Sequence, residues 1–160
     1  MSMTQRLYEK LVATGIRTTG ASIDPDDPDL KAILTRGHLF SRHNPQTVRG
    51  EDSKCHLNAL ILFRASHEDI GVATGYANTG GHWVSHTWGM HTWGVGPEGS
   101  IIETTNDWIR DGYFGIVLPL TEARKWLEAE TRRGLLPDSE LARIPQTRDL
   151  VKFGRKMNKQ

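Results

Sequence analysis

The chain has 160 residues, a length that suits a single domain with its own hydrophobic core. Hydrophobic residues make up 37% of the chain and charged residues 24%, proportions that are typical of a globular protein and exclude an intrinsically disordered one. The formal net charge of +1 provides no overall field for nucleic acid or for a membrane surface, so neither partner is expected.

The N-terminal residues favour an intracellular protein. They lack the apolar core of a signal peptide, and no apolar run in the chain approaches the roughly 20 residues that span a bilayer. The only cysteine, Cys55, excludes an internal disulfide. We therefore expect a reducing, cytoplasmic location.

Two short helices are predicted in the first third of the chain. Residues 5–13 place apolar side chains along one side of a helix. An acidic loop with two prolines, at residues 22–29, precedes a second helix at residues 30–35, which Gly37 ends. The polar and aperiodic residues 38–50 indicate a loop.

The most apolar helical segment spans residues 53–65 and carries the cysteine. Asp52 or Ser53 is the predicted N-cap, which places Cys55 in the first turn of the helix. Because nearly every side of this helix is apolar after Cys55, we expect it to be largely buried.

Four strands and a further helix are predicted after the cysteine. The strands lie at residues 70–76, 83–95, 100–105 and 113–118. Glycine-containing turns separate the first three of them, which implies an antiparallel meander. A charged helix at residues 121–133 ends at Gly134, and residues 146–160 form a basic, partly loose tail. The order predicts an α+β fold, with N-terminal helices and a buried cysteine-bearing helix packed on an antiparallel sheet.

A thiol at the start of a buried helix has specific chemical properties. The helix dipole and the first-turn amides stabilise a thiolate at Cys55, and the same amides can hold an oxyanion. Histidine suits the role of a base near neutral pH, and His86 lies in the second predicted strand. Glu103 on the next strand can orient the imidazole. The sequence predicts a catalytic triad of Cys55, His86 and Glu103, while burial as a small core residue is the alternative for the cysteine.

Three histidines are candidates for the base. Strand alternation places His82 and His86 on one face and His91 on the other if the strand is regular. His86 lies opposite the predicted carboxylate only if residues 90–99 form a long loop. A tight turn within this segment instead sets His91 beside Thr104, and the sequence leaves both registers open.

Polar and aromatic side chains around the predicted triad are candidates for substrate binding. They are Trp83, Trp88, His56, Asn58 and His91. Two further tryptophans, Trp93 and Trp108, extend a possible groove lined by aromatic rings. Packing in the core or at the edge of the sheet is the alternative, and we expect it for at least two of the tryptophans.

The order of these motifs resembles the transglutaminase-like core of the papain-like cysteine enzymes. That family has a cysteine on a helix, then a His-x-Trp strand, then an Asp-x-Thr strand. Here Cys55 is followed by His86-Thr87-Trp88 and by Glu103-Thr104-Thr105. The resemblance covers about residues 52–118, the expected catalytic core. A glutamate replaces the family's aspartate, and His56 stands where the family has a tryptophan beside the cysteine.

The resemblance implies acyl transfer at an amide or ester through a thioester on the cysteine. Hydrolases, such as proteases and amidases, and transferases, such as transglutaminases, share this chemistry, so the motifs leave the direction of transfer open. A small amide or a peptide segment is the expected substrate. No cofactor or metal is expected, and the oligomeric state is left open.

Two other functions remain open from the sequence. His82, His86 and Cys55, completed by His56 or Glu103, are candidate zinc ligands of a hydrolase or metal-binding protein. The His-x3-His spacing in a strand, however, separates the two rings by about 13 Å. A non-enzymatic binding module with a tryptophan-rich surface is the third interpretation, in which the cysteine belongs to the core.

Overall fold

The computed structural model describes residues 1–42, 45–79, 86–105 and 110–136. This part of the chain contains four α-helices, which are α1 (Met3–Ala13), α2 (Leu30–Arg36), α3 (Cys55–Ala65) and α4 (Leu120–Arg132). It also contains seven strands, which are β1 (Gly20–Ala21), β2 (His38–Leu39), β3 (Gln46–Thr47), β4 (Gly71–Thr79), β5 (Thr87–Val95), β6 (Ile101–Glu103) and β7 (Gly112–Val117).

The described strands form one mostly antiparallel sheet in the order β2-β7-β4-β5-β6-β3, and β1 pairs with β5. β4, β5 and β6 are neighbours in chain order, as the predicted meander requires. β2 with β7 and β5 with β6 are antiparallel pairs, whereas β1 with β5 and β3 with β6 are parallel. The predicted α+β class is confirmed at this level.

The predicted helices are present with small shifts of their ends. α1 begins at Met3 because Ser2 caps it, with the Ser2 hydroxyl accepting a hydrogen bond from the Gln5 amide at 3.1 Å. α2 ends before Gly37, where a Cβ would clash with the carbonyl of Ile33. No helix within the described residues is long and apolar enough to cross a membrane.

The predicted loop and the predicted helix cap were wrong. Residues 38–50 contain β2 and β3, which lie at the two ends of the strand order and are too short to show an alternating pattern. The N-cap of α3 is Lys54, which makes no capping hydrogen bond through its side chain. Ser53 adopts a left-handed backbone with φ of 60° and precedes the cap. Residues 83–85 of the second predicted strand and the tail at 146–160 lie outside the described residues.

The first of two compact units comprises residues 1–40, 74–91 and 110–116. Its core is built from apolar side chains of α1, α2 and the strands, namely Leu7, Leu11, Leu30, Ile33, Trp88 and Tyr113. Tyr76 is also buried, and its hydroxyl donates a hydrogen bond to the Asp27 carboxylate at 3.4 Å. Burial first, and then the negative charge of Asp27, raises the pKa of Tyr76 above its ordinary value.

The second unit comprises residues 41–73, 92–109 and 117–160, including α3 and α4, which pack together. The middle of α3, from Asn58 to Phe63, is buried as predicted. Leu62 of α3 and Ile102 of β6 both lie beside the position that a Cβ on Gly94 would occupy. The absence of a side chain at Gly94 therefore lets α3 pack closely against the sheet.

Candidate active site

Cys55 is the first residue of α3 and is partly exposed. This position agrees with the predicted first-turn cysteine and places its thiol at the positive end of the helix dipole. Since a buried helix follows, the cysteine lies where a buried element meets solvent. A helix N-terminus favours the thiolate form of a cysteine, because the helix dipole stabilises negative charge there.

Asn58, one turn further along α3, joins the helix to two backbone segments. Its side-chain amide donates hydrogen bonds to the carbonyls of Glu51 at 2.7 Å and Thr104 at 3.2 Å. Its side-chain oxygen accepts from the Glu51 amide at 3.1 Å. The predicted substrate-binding residue Asn58 is thus buried, and these bonds fix the chain that leads into the cysteine helix.

The segment before Cys55 continues the sheet beyond β3. The Val48 amide donates to the Glu103 carbonyl at 2.8 Å, and the Gly50 amide donates to the Thr104 carbonyl at 2.6 Å. A Cβ on Gly50 would collide with the Asn58 side chain, so glycine is needed at this crossing. The end of β6, the segment before the helix and the first turns of α3 therefore form one hydrogen-bonded framework.

Glu103, the predicted orienting carboxylate, is fully buried at the end of β6. Its Oε1 accepts hydrogen bonds from the amides of Thr104 and Thr105, at 2.9 and 3.1 Å, and from the Thr105 hydroxyl at 2.8 Å. Three donors thus satisfy one oxygen of this buried carboxyl group. The Glu-Thr-Thr segment is a local turn around that group.

His86, the predicted base, immediately precedes β5 in the first unit. Its Nδ1 lies 3.3 Å from Oδ2 of Asp111, with 20% of the His86 side chain and 39% of the Asp111 side chain exposed. The Asp111 amide donates to the Asn78 carbonyl at 3.2 Å, which anchors the residue beside β4. No sequence pattern indicates Asp111, because only the order of the strands brings the start of β7 to β4.

The turn between β5 and β6 is tight. Gly94 pairs with Ile102 and Val95 with Ile101, and a single 3-10 turn at Pro97–Gly99 joins the strands. Of the two registers left open by the sequence, the one that requires a long loop at residues 90–99 is absent.

The aromatic candidates divide into buried and undescribed residues. Trp88 and Trp93 are fully buried, which confirms the packing role expected for at least two of the tryptophans. The predicted substrate residue Trp83, with Trp108 and His82, lies outside the described residues. His91 is buried in β5, with its ring centroid 6.2 Å from that of Tyr113.

His56, the residue after the cysteine, faces α4. Its ring lies 4.8 Å from that of Trp126, centroid to centroid, and its Nε2 lies 3.6 Å from Oε1 of Glu130. Glu130 is buried and also pairs with Arg133 at 3.3 Å. The side chain predicted to bind substrate therefore contacts α4 at the start of the cysteine helix.

The candidate residues that the structure describes are divided between the two compact units. Cys55, Asn58 and Glu103 belong to the second unit, whereas His86 and His91 belong to the first. Within the ranges that the structure describes, no three histidine, cysteine, aspartate or glutamate side chains are grouped so as to hold a metal ion.

Comparison with known proteins finds no relative for this chain. No family model, no curated protein and no solved structure matches it. The resemblance to the transglutaminase-like core therefore rests on the short motifs of the chain itself, and any activity has to be argued from its residues.

Proposed function

We propose that this protein is a thiol-dependent acyl-transfer enzyme in which Cys55 is the nucleophile. The observation that carries the proposal is the partly exposed thiol at the first residue of α3, on a helix start that Asn58 ties to the end of β6. A rigid framework around a thiol at a helix N-terminus suits nucleophilic catalysis, because the attacking atom is held in place and its thiolate is stabilised.

The proposed reaction begins with attack of the Cys55 thiolate on the carbonyl carbon of an amide. A carbon–sulfur bond forms and the carbonyl electrons move to oxygen, where amides at the helix start stabilise the oxyanion. Collapse of this intermediate breaks the carbon–nitrogen bond, and a protonated histidine gives its proton to the leaving amine. Water or a second amine then attacks the thioester, gives a proton to the histidine, and restores the thiolate as the acyl group leaves.

The proposed base is His86, and the proposed orienting group is Glu103. This assignment follows the resemblance to the transglutaminase-like core, with its cysteine, His-x-Trp strand and carboxylate-x-Thr strand. Asp111 is a second candidate for the orienting group, since its carboxylate lies 3.3 Å from Nδ1 of His86. His91 is the second candidate for the base, and it lies in β5 before the tight turn that joins this strand to β6.

The proposed substrate is a small amide or a peptide segment. The resemblance supports amide chemistry, and it leaves hydrolysis and transfer to an amine as two outcomes of the same thioester. A cytoplasmic location is part of this proposal, since a reducing compartment keeps a solitary nucleophilic thiol in its active form.

The test is the pH dependence of Cys55 alkylation by iodoacetamide, measured by mass spectrometry in wild type and in His86→Ala. We expect labelling with an apparent pKa well below the free-thiol value of about 8.5, and we expect His86→Ala to raise it. His91→Ala is the matched control and is expected to leave the profile unchanged.

Each alternative result has a defined meaning. Slow labelling with a pKa near that of a free thiol would overturn the nucleophile assignment and leave Cys55 as a packing residue. A normal profile in His86→Ala together with a raised pKa in His91→Ala would transfer the role of base to His91. Zinc bound by purified protein in stoichiometric amount would favour the metal-site alternative instead.

A further inference from the structure

The contact between α3 and α4 beside the cysteine contains an imidazole and a carboxylate. Nε2 of His56 lies 3.6 Å from Oε1 of Glu130, and the His56 ring lies 4.8 Å from that of Trp126, centroid to centroid. The His56 side chain is 39% exposed, whereas that of Glu130 is 11% exposed. The imidazole therefore reaches solvent, from which it can take a proton, while the carboxylate beside it is held inside the contact.

The surroundings of His56 on α4 favour its protonated form. A neighbouring carboxylate stabilises the positive charge of an imidazolium, and an aromatic ring attracts a cation. Arg133, which lies 3.3 Å from the same oxygen of Glu130, offsets part of this effect. The charged groups on the segment before α3 form two ion pairs without net charge, Lys54 with Glu51 and Arg49 with Asp52. The carboxylate of Glu130 thus acts to keep His56 protonated, and the guanidinium of Arg133 weakens that action.

His56 is joined to Cys55 by one peptide bond. Consecutive Cα atoms lie about 3.8 Å apart, so the imidazole remains within about 10 Å of the thiol in any rotamer, which is close to the Debye length in dilute salt. A positive charge at this separation stabilises the thiolate. Both residues belong to the first turn of α3 in the second unit, whereas His86 belongs to the first unit.

We infer that Glu130 is a positioning residue for His56, whose imidazolium charge stabilises the Cys55 thiolate. This inference rests on the proposed function, since it takes Cys55 as the nucleophile, and it adds a control of that nucleophile by pH. In acid the protonated His56 favours the thiolate, and this support is lost as the pH rises and the imidazole loses its proton. The reactivity of the thiol therefore changes less steeply with pH than that of a thiol without such a neighbour.

The experiment measures the rate of Cys55 alkylation by iodoacetamide across a pH series in wild type and His56→Gln. We expect His56→Gln to slow labelling roughly two- to fivefold near about pH 6, the effect of one charge at this separation in a solvated site. The plateau rate at high pH, where the thiol is ionised in both proteins, should be unchanged. His67→Gln is the matched control, because it changes a histidine beyond the other end of α3, and it is expected to follow wild type.

Glu130→Gln tests the positioning role, because it keeps the size of the side chain and removes its charge. The imidazole then loses its proton at a lower pH, so labelling should slow near neutral pH and match wild type at about pH 5, where His56 is protonated in both proteins. The double variant with His56→Gln should behave as His56→Gln alone, because Glu130 acts through the imidazole.

The other outcomes overturn the inference. An unchanged profile in His56→Gln, or the same change in His67→Gln, would contradict it. Equal slowing at every pH would show that His56 affects access to the thiol rather than its ionisation. An effect of Glu130→Gln that persists in the double variant would contradict the positioning role. If His56→Gln does not fold, as judged by circular dichroism, His56→Asn supplies the same comparison. A wild-type thiol of ordinary reactivity that ignores His86→Ala would instead defeat the proposed function, which is a separate result.

Discussion

The two carboxylates proposed as partners for a catalytic histidine lie in contrasting surroundings. Glu103, at the end of β6, is fully buried and receives three hydrogen bonds on one oxygen from the two residues that follow it. Asp111, just before β7, keeps 39% of its side chain exposed and lies 3.3 Å from Nδ1 of His86. One carboxylate is built into a local turn, and the other is placed beside a histidine at a solvent boundary.

The contrast shows that a sequence motif predicts which chemical group is present, but does not by itself predict the role of that group. The glutamate in the Glu-x-Thr pattern has a structural duty that is visible in its bonds to Thr104 and Thr105. The aspartate belongs to no motif, yet its carboxylate lies 3.3 Å from Nδ1 of His86. Substitutions can separate the structural and chemical roles of these two residues.

The largest expected effect is on stability, in the pair Glu103→Ala and Asp111→Ala. Removing the Glu103 carboxylate leaves three donors around it without their acceptor, and we expect a loss of about 3 kcal/mol in the free energy of unfolding. Asp111→Ala removes a partly exposed pair and is expected to cost less than about 1 kcal/mol. Urea denaturation followed by circular dichroism measures both.

Equal losses in the two variants would contradict this difference. Such a result would mean that burial of Glu103 and its three hydrogen bonds contribute no more to stability than the exposed pair. Glu103→Gln is a useful intermediate, because it keeps one oxygen acceptor for the three donors while it removes the charge.

Much of the fold that surrounds these carboxylates was predictable from sequence. The apolar segment after Cys55 gave a buried helix because its composition leaves no polar side to expose. The strands of the meander were predictable from their alternation and from glycine-containing turns. β2 and β3 were not, since two residues at the end of a sheet carry no periodic signal.

The residue types of the candidate site were predictable from the sequence, whereas the contacts between these residues were less so. Cys55 at a helix start follows from local sequence, whereas the Asn58 contacts join residues far apart in the chain. The tight turn between β5 and β6 was indicated by a glycine in the sequence. Glu98 and Gly99 both adopt a left-handed backbone there, a conformation that glycine favours. The pairing of Asp111 with His86 had none, as it depends on β7 lying beside β4.

A smaller effect is expected on the reactivity of Cys55, in the isosteric pair Glu103→Gln and Asp111→Asn. In the proposed function, Glu103 is the group that orients the imidazole of His86. Loss of that negative charge destabilises the imidazolium partner of the thiolate, so Glu103→Gln is expected to slow alkylation at about pH 6 roughly tenfold, the equivalent of one pKa unit. Turnover should slow in parallel once a substrate is known.

Asp111→Asn is the matched control and is expected to change the same rate less than about twofold, the range of an exposed pair. The reverse pattern, with a slow Asp111→Asn and a normal Glu103→Gln, would give the orienting role to Asp111. In that case the three hydrogen bonds on Glu103 would have a structural purpose alone.

The smallest expected effect concerns a third carboxylate, Glu68, which extends the comparison to the protein surface. Arg124 donates to its two oxygens at 2.8 and 2.6 Å. The hydrogen bond and charge of Arg124 hold the pKa of Glu68 below its ordinary value of 4.5. A lowered pKa in the folded state stabilises the protein above the unfolded-state pKa, and this contribution disappears as the pH falls through the folded-state value.

Glu68→Gln should therefore lower Tm slightly at neutral pH and have no effect in acid, as thermal unfolding across a pH series would measure. High salt should reduce the neutral-pH difference, because the pair is exposed and screened. A Tm difference that persists in acid would mean that Glu68 contributes to stability through packing. The comparison of buried Glu103 with exposed Glu68 would then not be a comparison of charge effects.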